Sequence, residues 1–91
     1  MAVALMIDNP DGTQDLYDKV LAELALETPA GGTLHVAGPT PNGGWRVIEV
    51  FESAEAARRF ITERLGPAFK AAGATGPPPE PQLWPVHNCM T

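Results

Sequence analysis

The chain has 91 residues, enough for one domain over residues 1–91, and at this size folding buries only about 60 to 65% of the unfolded chain's surface. Hydrophobic residues make up 44% of the sequence and charged residues 19%, a globular composition that excludes a disordered chain. The net charge of -5, from six Lys and Arg against eleven Asp and Glu, argues against nucleic acid or an anionic membrane surface as a partner.

The apolar run AVALMI at residues 2–7 is followed by the turn-forming cluster that ends at Gly12. A short apolar run with such a boundary predicts a buried strand. No basic segment precedes it, and Asp8 follows too early for a signal peptide or a membrane span. We therefore expect a cytoplasmic protein.

A first helix is predicted after Thr13, which stands at the N-cap position with Asp15 in the first turn. Apolar residues recur at helical spacing after it and form one inner stripe: Leu16, Tyr17, Val20, Leu21 and Leu24. The helix is expected to end before Pro29, because the Pro-Ala-Gly-Gly segment up to Gly32 is typical of a loop.

Two strands are predicted next, at residues 33–37 and 45–51, joined by the breaker-rich hairpin GPTPNGG. Side chains alternate between the two faces of a strand, so His35 shares one face with Trp45 and Glu49. The other face carries the aliphatic residues Leu34, Val36, Ile48 and Val50. We expect this aliphatic set to pack under the helices, with the His35 face turned towards a second subunit.

The second half of the chain predicts a helix capped by Ser53 and interrupted at Gly66-Pro67. The segment 76–81 contains four prolines and is predicted to be an extended linker. A last strand is predicted at residues 82–87. Pro85 cannot donate a ladder hydrogen bond, so this strand is expected at a sheet edge or a bulge.

The predicted order is strand, helix, strand, strand, helix, strand, which is the α+β, ferredoxin-like βαββαβ arrangement. It places both helices on one face of a four-stranded antiparallel sheet and leaves the second face uncovered. Because the strands are apolar on both faces, that second face needs a partner. A homodimer that packs two sheets face to face meets this need.

Three segments of the chain resemble small bacterial members of the dimeric α+β barrel superfamily: HVAGPTPNGGWRVIEVFES (35–53), ERLGPAF (63–69) and LWPVHN (83–88). The resemblance implies a homodimer whose two sheets close into a barrel with a cavity. The superfamily includes cofactor-independent antibiotic-biosynthesis monooxygenases, polyketide cyclases, muconolactone isomerases and haem-degrading enzymes. The short subgroup that this chain resembles has no assigned activity, so the resemblance transfers no catalytic residue.

His35 and Glu49 are the candidate catalytic residues. A strand histidine that faces a cavity can act as a general base near neutral pH, and Glu49 can orient it or carry a proton itself. In the alternative interpretation His35 is a core or interface histidine bonded to a neighbour such as Glu49. Glu49 can also form an interfacial ion pair with one of the arginines 46, 58 and 64.

Four aromatic residues are candidates for substrate binding. Trp45, Phe51 and Trp84 can form apolar walls around a flat aromatic molecule, and Tyr17 can direct its hydroxyl into the cavity. Alternatively, the tryptophans close a dimer core and Tyr17 extends its hydroxyl to water. At the C-terminus, His87 can reach across a dimer interface or belong to a frayed end.

The sequence gives no sign of a cofactor or a metal site. It contains no CxxC, HxH or HExxH motif and no phosphate-binding glycine fingerprint, and Ser53 serves better as a helix cap than as a nucleophile. The lone Cys89 cannot form an internal disulfide. Two functions remain open: a cofactor-free monooxygenase, cyclase or isomerase acting on an apolar small molecule, and a non-catalytic homodimeric binding or interaction module.

Overall fold

The structure, a computed structural model, describes residues 1–24, 31–73 and 79–88. Its elements are β1 (Val3–Asn9), α1 (Gln14–Glu23), β2 (Gly32–Pro39), β3 (Trp45–Phe51), α2 (Ala54–Phe60), a π-helical turn (Ile61–Leu65), α3 (Gly66–Ala71) and β4 (Gln82–Pro85). The strands form one four-stranded sheet in the order β2-β3-β1-β4, and each neighbouring pair is antiparallel. The predicted ferredoxin-like fold is confirmed.

Both helix starts lie at the predicted caps. The Thr13 hydroxyl accepts a hydrogen bond from the Leu16 N–H at 3.1 Å, and the Ser53 hydroxyl accepts one from the Ala56 N–H at 3.1 Å. Each cap satisfies an N–H group that the helix itself leaves without a partner. These caps fix the register of α1 and α2, and therefore decide which side chains the helices turn towards the sheet.

The predicted interruption near Gly66-Pro67 takes the form of the π-helical turn. The Gly66 N–H donates to the carbonyl of Ile61, five residues back, and Pro67 has no N–H to continue the α-helical pattern. The turn joins α2 to α3 without a loop.

The remaining sequence predictions concern the segments around α1 and β4. Helix α1 ends at Glu23. Residues 29–30 of the loop predicted up to Gly32 lie outside the described residues, and Gly32 itself begins β2. Residues 76–78 of the predicted linker and Cys89 lie outside the described part, whereas residues 79–81 are described and belong to no helix or strand. Strand β4 pairs with β1 alone, so the edge position predicted from Pro85 is confirmed.

The hydrophobic core lies between one face of the sheet and the helices. Leu5 and Phe51 are 1% and 0% exposed and form its sheet side. The helices contribute Val20, Leu24, Ala57, Phe60 and Ala68. We call this side of the sheet the helix-covered face; by strand alternation it also carries His35, Trp45 and Glu49.

The other side, which we call the open face, carries the aliphatic residues of β2 and β3 and one aromatic residue of β4. Ala4 pairs with both Val50 and Trp84, and Val50 pairs with Leu34. Val36 is 53% exposed, Trp84 41% and Leu34 38%. Within the described residues no helix packs on this apolar surface.

The expectation that the aliphatic set packs under the helices is therefore wrong, and the two faces are exchanged. Alternation shows which side chains share a face, but a strand that is apolar on both faces does not show which face the helices cover. Phe51, with Leu5, fills the space beneath α2, and His35 and Glu49 lie on its face. His35 is thus turned towards the helices and away from the surface available to a second subunit.

None of the helices in the described ranges combines the length and the apolar character needed to cross a lipid bilayer.

Candidate functional site

A cavity of about 150 Å³ lies between the helix-covered face and the helices. Its walls are mostly apolar side chains of β1, α1, β3, the π-helical turn and α3, including Ile7, Leu16, Val47, Ile61, Leu65 and Phe69. Tyr17, His35, Trp45 and Glu49 lie in the same walls. An apolar cavity with a few convergent polar groups is the usual form of a small-molecule site.

His35 and Glu49 face each other across the β2–β3 pair. His35 Nδ1 lies 2.9 Å from Glu49 Oε1. The glutamate is 4% exposed, whereas a third of the histidine side chain, 33%, is exposed. The pair therefore runs from a buried carboxylate to a partly open imidazole.

Glu49 thus takes the histidine, and none of the candidate arginines, as its partner. Arg46 lies on the open face and donates two hydrogen bonds to Asp8, at 2.6 and 2.9 Å. These bonds lower the pKa of Asp8 and raise that of Arg46. Arg64 donates to the backbone carbonyl of Leu24 at 3.4 Å.

Tyr17 completes a chain of three polar side chains. Its hydroxyl lies 2.5 Å from His35 Nε2. Its ring stacks on the imidazole with centroids 5.9 Å apart and lies tilted against Trp45 with centroids 5.4 Å apart. Burial, followed by the negative charges of Glu49 and Asp18, raises the pKa of Tyr17. The hydroxyl therefore stays protonated at neutral pH.

Trp45 is held in place by the turn between β1 and α1. A Cβ atom at Gly12 would lie 2.8 Å from the Cβ of Trp45, so only glycine lets this turn approach the strand so closely. Within the described residues, Trp45 Nε1 and Glu49 Oε2 are buried without a hydrogen-bond partner. An unpaired buried polar atom costs about 1 to 3 kcal/mol.

The structure brings His35, Glu49, Trp45 and Tyr17 together, but it corrects the placement of the two other aromatic candidates. Phe51 is fully buried against Phe60, with ring centroids 5.5 Å apart, and belongs to the core. Trp84 pairs with Ala4 on the open face, on the opposite side of the sheet from the cavity. Neither residue is among those that line the cavity, because Phe51 is packed in the core and Trp84 lies on the other side of the sheet.

One part of the helical wall of the cavity was missed by sequence reasoning. It is formed by the π-helical turn and the start of α3, where Leu65, Gly66 and Phe69 line the cavity with Ile61. Ile61 and Leu65 lie at helical spacing, which is equally typical of a packed core. His87 is exposed and is not among the residues that line the cavity.

In the described ranges, no three His, Cys, Asp or Glu side chains cluster as metal ligands.

The sequence matches no protein-family model, and no curated protein matches it. Solved structures do match over nearly the whole chain. One is a candidate antibiotic biosynthesis monooxygenase from Chloroflexus aurantiacus J-10-fl, with 18% identity, a TM-score of 0.67 and coverage of 99% of this chain and 98% of the other.

A single-residue variant of SnoaB, a cofactor-independent oxygenase from Streptomyces nogalater, matches with 16% identity and a TM-score of 0.66, over 98% of this chain and 96% of that one. Rv0793 from Mycobacterium tuberculosis matches with 13% identity and a TM-score of 0.71, over 100% of both chains. The chain has the fold of these proteins. At these identities the likeness establishes the four-stranded α+β architecture of antibiotic biosynthesis monooxygenase-like proteins, and an activity requires an argument from the site itself.

Proposed function

We propose that this protein is a small cofactor-independent enzyme that removes a proton from an apolar, aromatic molecule bound in the cavity. The observation that carries the proposal is the His35 to Glu49 pair in the wall of a largely apolar cavity. In this function His35 is the general base. Glu49 orients the imidazole and stabilises the imidazolium that forms when it takes up a proton.

Proton removal is a first step that needs no cofactor. The resulting carbanion or enolate can add dioxygen, close a ring or shift a double bond, which are the reactions of an oxygenase, a cyclase and an isomerase. The likeness to SnoaB, described as a cofactor-independent oxygenase, favours the first of these. A ligand that fills the apolar cavity displaces water from the reacting atoms, which strengthens the electrostatic interactions between the ligand and the pair.

Two atoms in the cavity residues, Glu49 Oε2 and Trp45 Nε1, are buried without a hydrogen-bond partner among the described residues. They favour a largely apolar ligand that also carries polar groups. Glu49 Oε2 can accept a hydrogen bond and Trp45 Nε1 can donate one. A bound molecule with a hydroxyl and a carbonyl oxygen would offset the cost of leaving these atoms unpaired.

The test uses 2-tetralone, an apolar bicyclic ketone with acidic C–H groups, as the probe. In D₂O, NMR follows the replacement of its α-hydrogens by deuterium. The wild type is expected to accelerate this exchange over buffer, and His35→Gln is expected to lower the rate about 100-fold or more. The matched control is His87→Gln, which changes the exposed histidine outside the cavity. Equal exchange with protein and with buffer would contradict the proposal.

We also propose that the protein is a homodimer in the cytoplasm and that its second copy covers the open face. Val36, Leu34 and Trp84 form an apolar surface there that a folded chain in water rarely leaves exposed. The same surface favours a second candidate function, a non-catalytic dimeric binding module. In that function His35 and Glu49 only set the packing of the helix-covered face, and the exchange experiment would show no acceleration.

A further inference from the structure

We propose that Tyr17 is a catalytic residue of this site, whose hydroxyl takes the ligand's proton while it passes its own proton to His35. The hydrogen-bond relay on which this inference depends exists independently of any ligand. The catalytic role of Tyr17 rests on the proposed function.

For an ionised Glu49 and a neutral imidazole, the geometry leaves one assignment of protons along the chain. An ionised Glu49 can only accept hydrogen bonds, so His35 must donate from Nδ1 to Oε1 across the 2.9 Å contact. A neutral imidazole that carries its proton on Nδ1 has an acceptor at Nε2. The Tyr17 hydroxyl, 2.5 Å away, therefore donates to Nε2.

This assignment occupies the atom that a general base would use. The lone pair of His35 Nε2 already accepts the proton of Tyr17, so the imidazole is not free to accept directly from a ligand. The Tyr17 oxygen retains lone pairs, and Tyr17 and His35 both line the cavity. The ligand's proton therefore reaches the imidazole through the tyrosine oxygen.

The step balances within the three side chains. The C–H or O–H bond of the ligand breaks and leaves its electron pair on the ligand, and the proton joins the Tyr17 oxygen. The former Tyr17 proton moves to His35 Nε2, and the imidazolium is stabilised by Glu49. Tyr17 begins and ends the step as a neutral hydroxyl, in keeping with the burial and the Glu49 charge that raise its pKa.

The fold holds Tyr17 in place for this role. Its backbone N–H bonds to the Thr13 carbonyl at 3.0 Å in the first turn of α1, and its ring lies against both His35 and Trp45. The relay thus joins one helix to two neighbouring strands. Removal of the hydroxyl alone, in Tyr17→Phe, leaves the ring contacts intact.

The relay is tested in the ligand-free protein by ¹⁵N NMR of the imidazole. The chain has two histidines and one tyrosine, so in the His87→Gln background every histidine signal comes from His35. We expect a proton on Nδ1 and a hydrogen-bonded, unprotonated Nε2 at pH 8. Tyr17→Phe should move only the Nε2 resonance, towards that of an unbonded imidazole nitrogen. A proton on Nε2, or no response to Tyr17→Phe, would overturn the relay.

The catalytic role is tested by the deuterium exchange of 2-tetralone. Tyr17→Phe is expected to lower kcat about 100-fold and to leave KM within about twofold, because the ring contacts remain. An unchanged kcat with a strong loss in His35→Gln overturns the role of Tyr17 alone. No exchange by the wild type overturns the proposed function, and the catalytic role of Tyr17 with it.

Discussion

The two faces of the sheet are built from alternate residues of the same strands, yet they differ in what they bury. The helix-covered face holds large aromatic side chains, a cavity and the polar chain from Glu49 to Tyr17. The open face holds aliphatic side chains and Trp84, with the Asp8 to Arg46 ion pair on the same side. Polar groups in a buried wall are costly, whereas an apolar surface in water is costly until a partner covers it. This difference is the reason for proposing catalysis on the helix-covered face and assembly on the open face.

The largest expected effect comes from placing a charge on the open face. Val36→Glu adds one carboxylate per copy to the proposed interface, where burial of an unpaired charge costs several kcal/mol. We expect the dissociation constant of the dimer to rise at least about 100-fold, as measured by light scattering over a dilution series.

Gln14→Glu is the matched control for this substitution, because it adds the same charge at an exposed position of α1. It should leave the assembly unchanged. A wild type that is monomeric at micromolar concentration, or a Val36→Glu variant that dimerises as tightly as the wild type, would exclude the open face as a dimer interface.

A smaller effect on folding, but a large one on activity, is expected from Glu49→Leu on the helix-covered face. The variant removes a buried carboxylate with one unpaired oxygen and leaves behind a partly exposed histidine. We expect the free energy of unfolding to change by no more than about 1 kcal/mol or to rise, while the exchange of 2-tetralone falls about 100-fold. Urea unfolding and NMR exchange measure the two quantities. A large loss of stability together with exchange at the wild-type rate would favour the purely structural role.

The smallest expected effect is on the titration of Tyr17, the one tyrosine of the chain, which absorbance at 295 nm follows. Its folded pKa is raised above the ordinary value of 10.0 by burial, Glu49 and Asp18. The contribution of the neutral Tyr17 hydroxyl to the free energy of unfolding is therefore complete below about pH 10 and is lost as the pH rises through the folded pKa. Glu49→Leu should lower the midpoint, and Asp15→Asn, an exposed acid on the same helix, should leave it in place. A midpoint that Glu49→Leu does not move would contradict the proximity of the two groups.

Much of the fold could be predicted because its signals are local. Thr13 and Ser53 are caps with a hydroxyl in reach of a helix N–H, and Pro85 excludes a central strand, so these features needed no tertiary information. Alternation also predicted correctly that His35 and Glu49 share a face. Which face the helices cover could not be deduced in this way, because the aliphatic and the aromatic sets are both apolar enough to be buried.

The contact of Tyr17 with His35 depends on how α1 lies across β2, 18 residues apart in the chain. No spacing rule within one element predicts such a contact. The cavity is a further consequence of tertiary packing, since the helical spacing of Ile61 and Leu65 would be the same in a filled core. The hydrophobic periodicity of a sequence does not predict whether the packed elements leave a cavity between them.

We propose that ligands bind on the helix-covered face and that the second copy binds on the open face. Tryptophan fluorescence tests this assignment most directly, because each face carries one of the two tryptophans of the chain. Trp84→Phe leaves Trp45 in the cavity wall as the reporter, and Trp45→Phe leaves Trp84 on the open face. On titration with 2-tetralone, we predict saturable quenching of Trp45 emission and no change in Trp84 emission. Saturable quenching of Trp84, or no response from Trp45, would contradict the assignment of ligand binding to the helix-covered face.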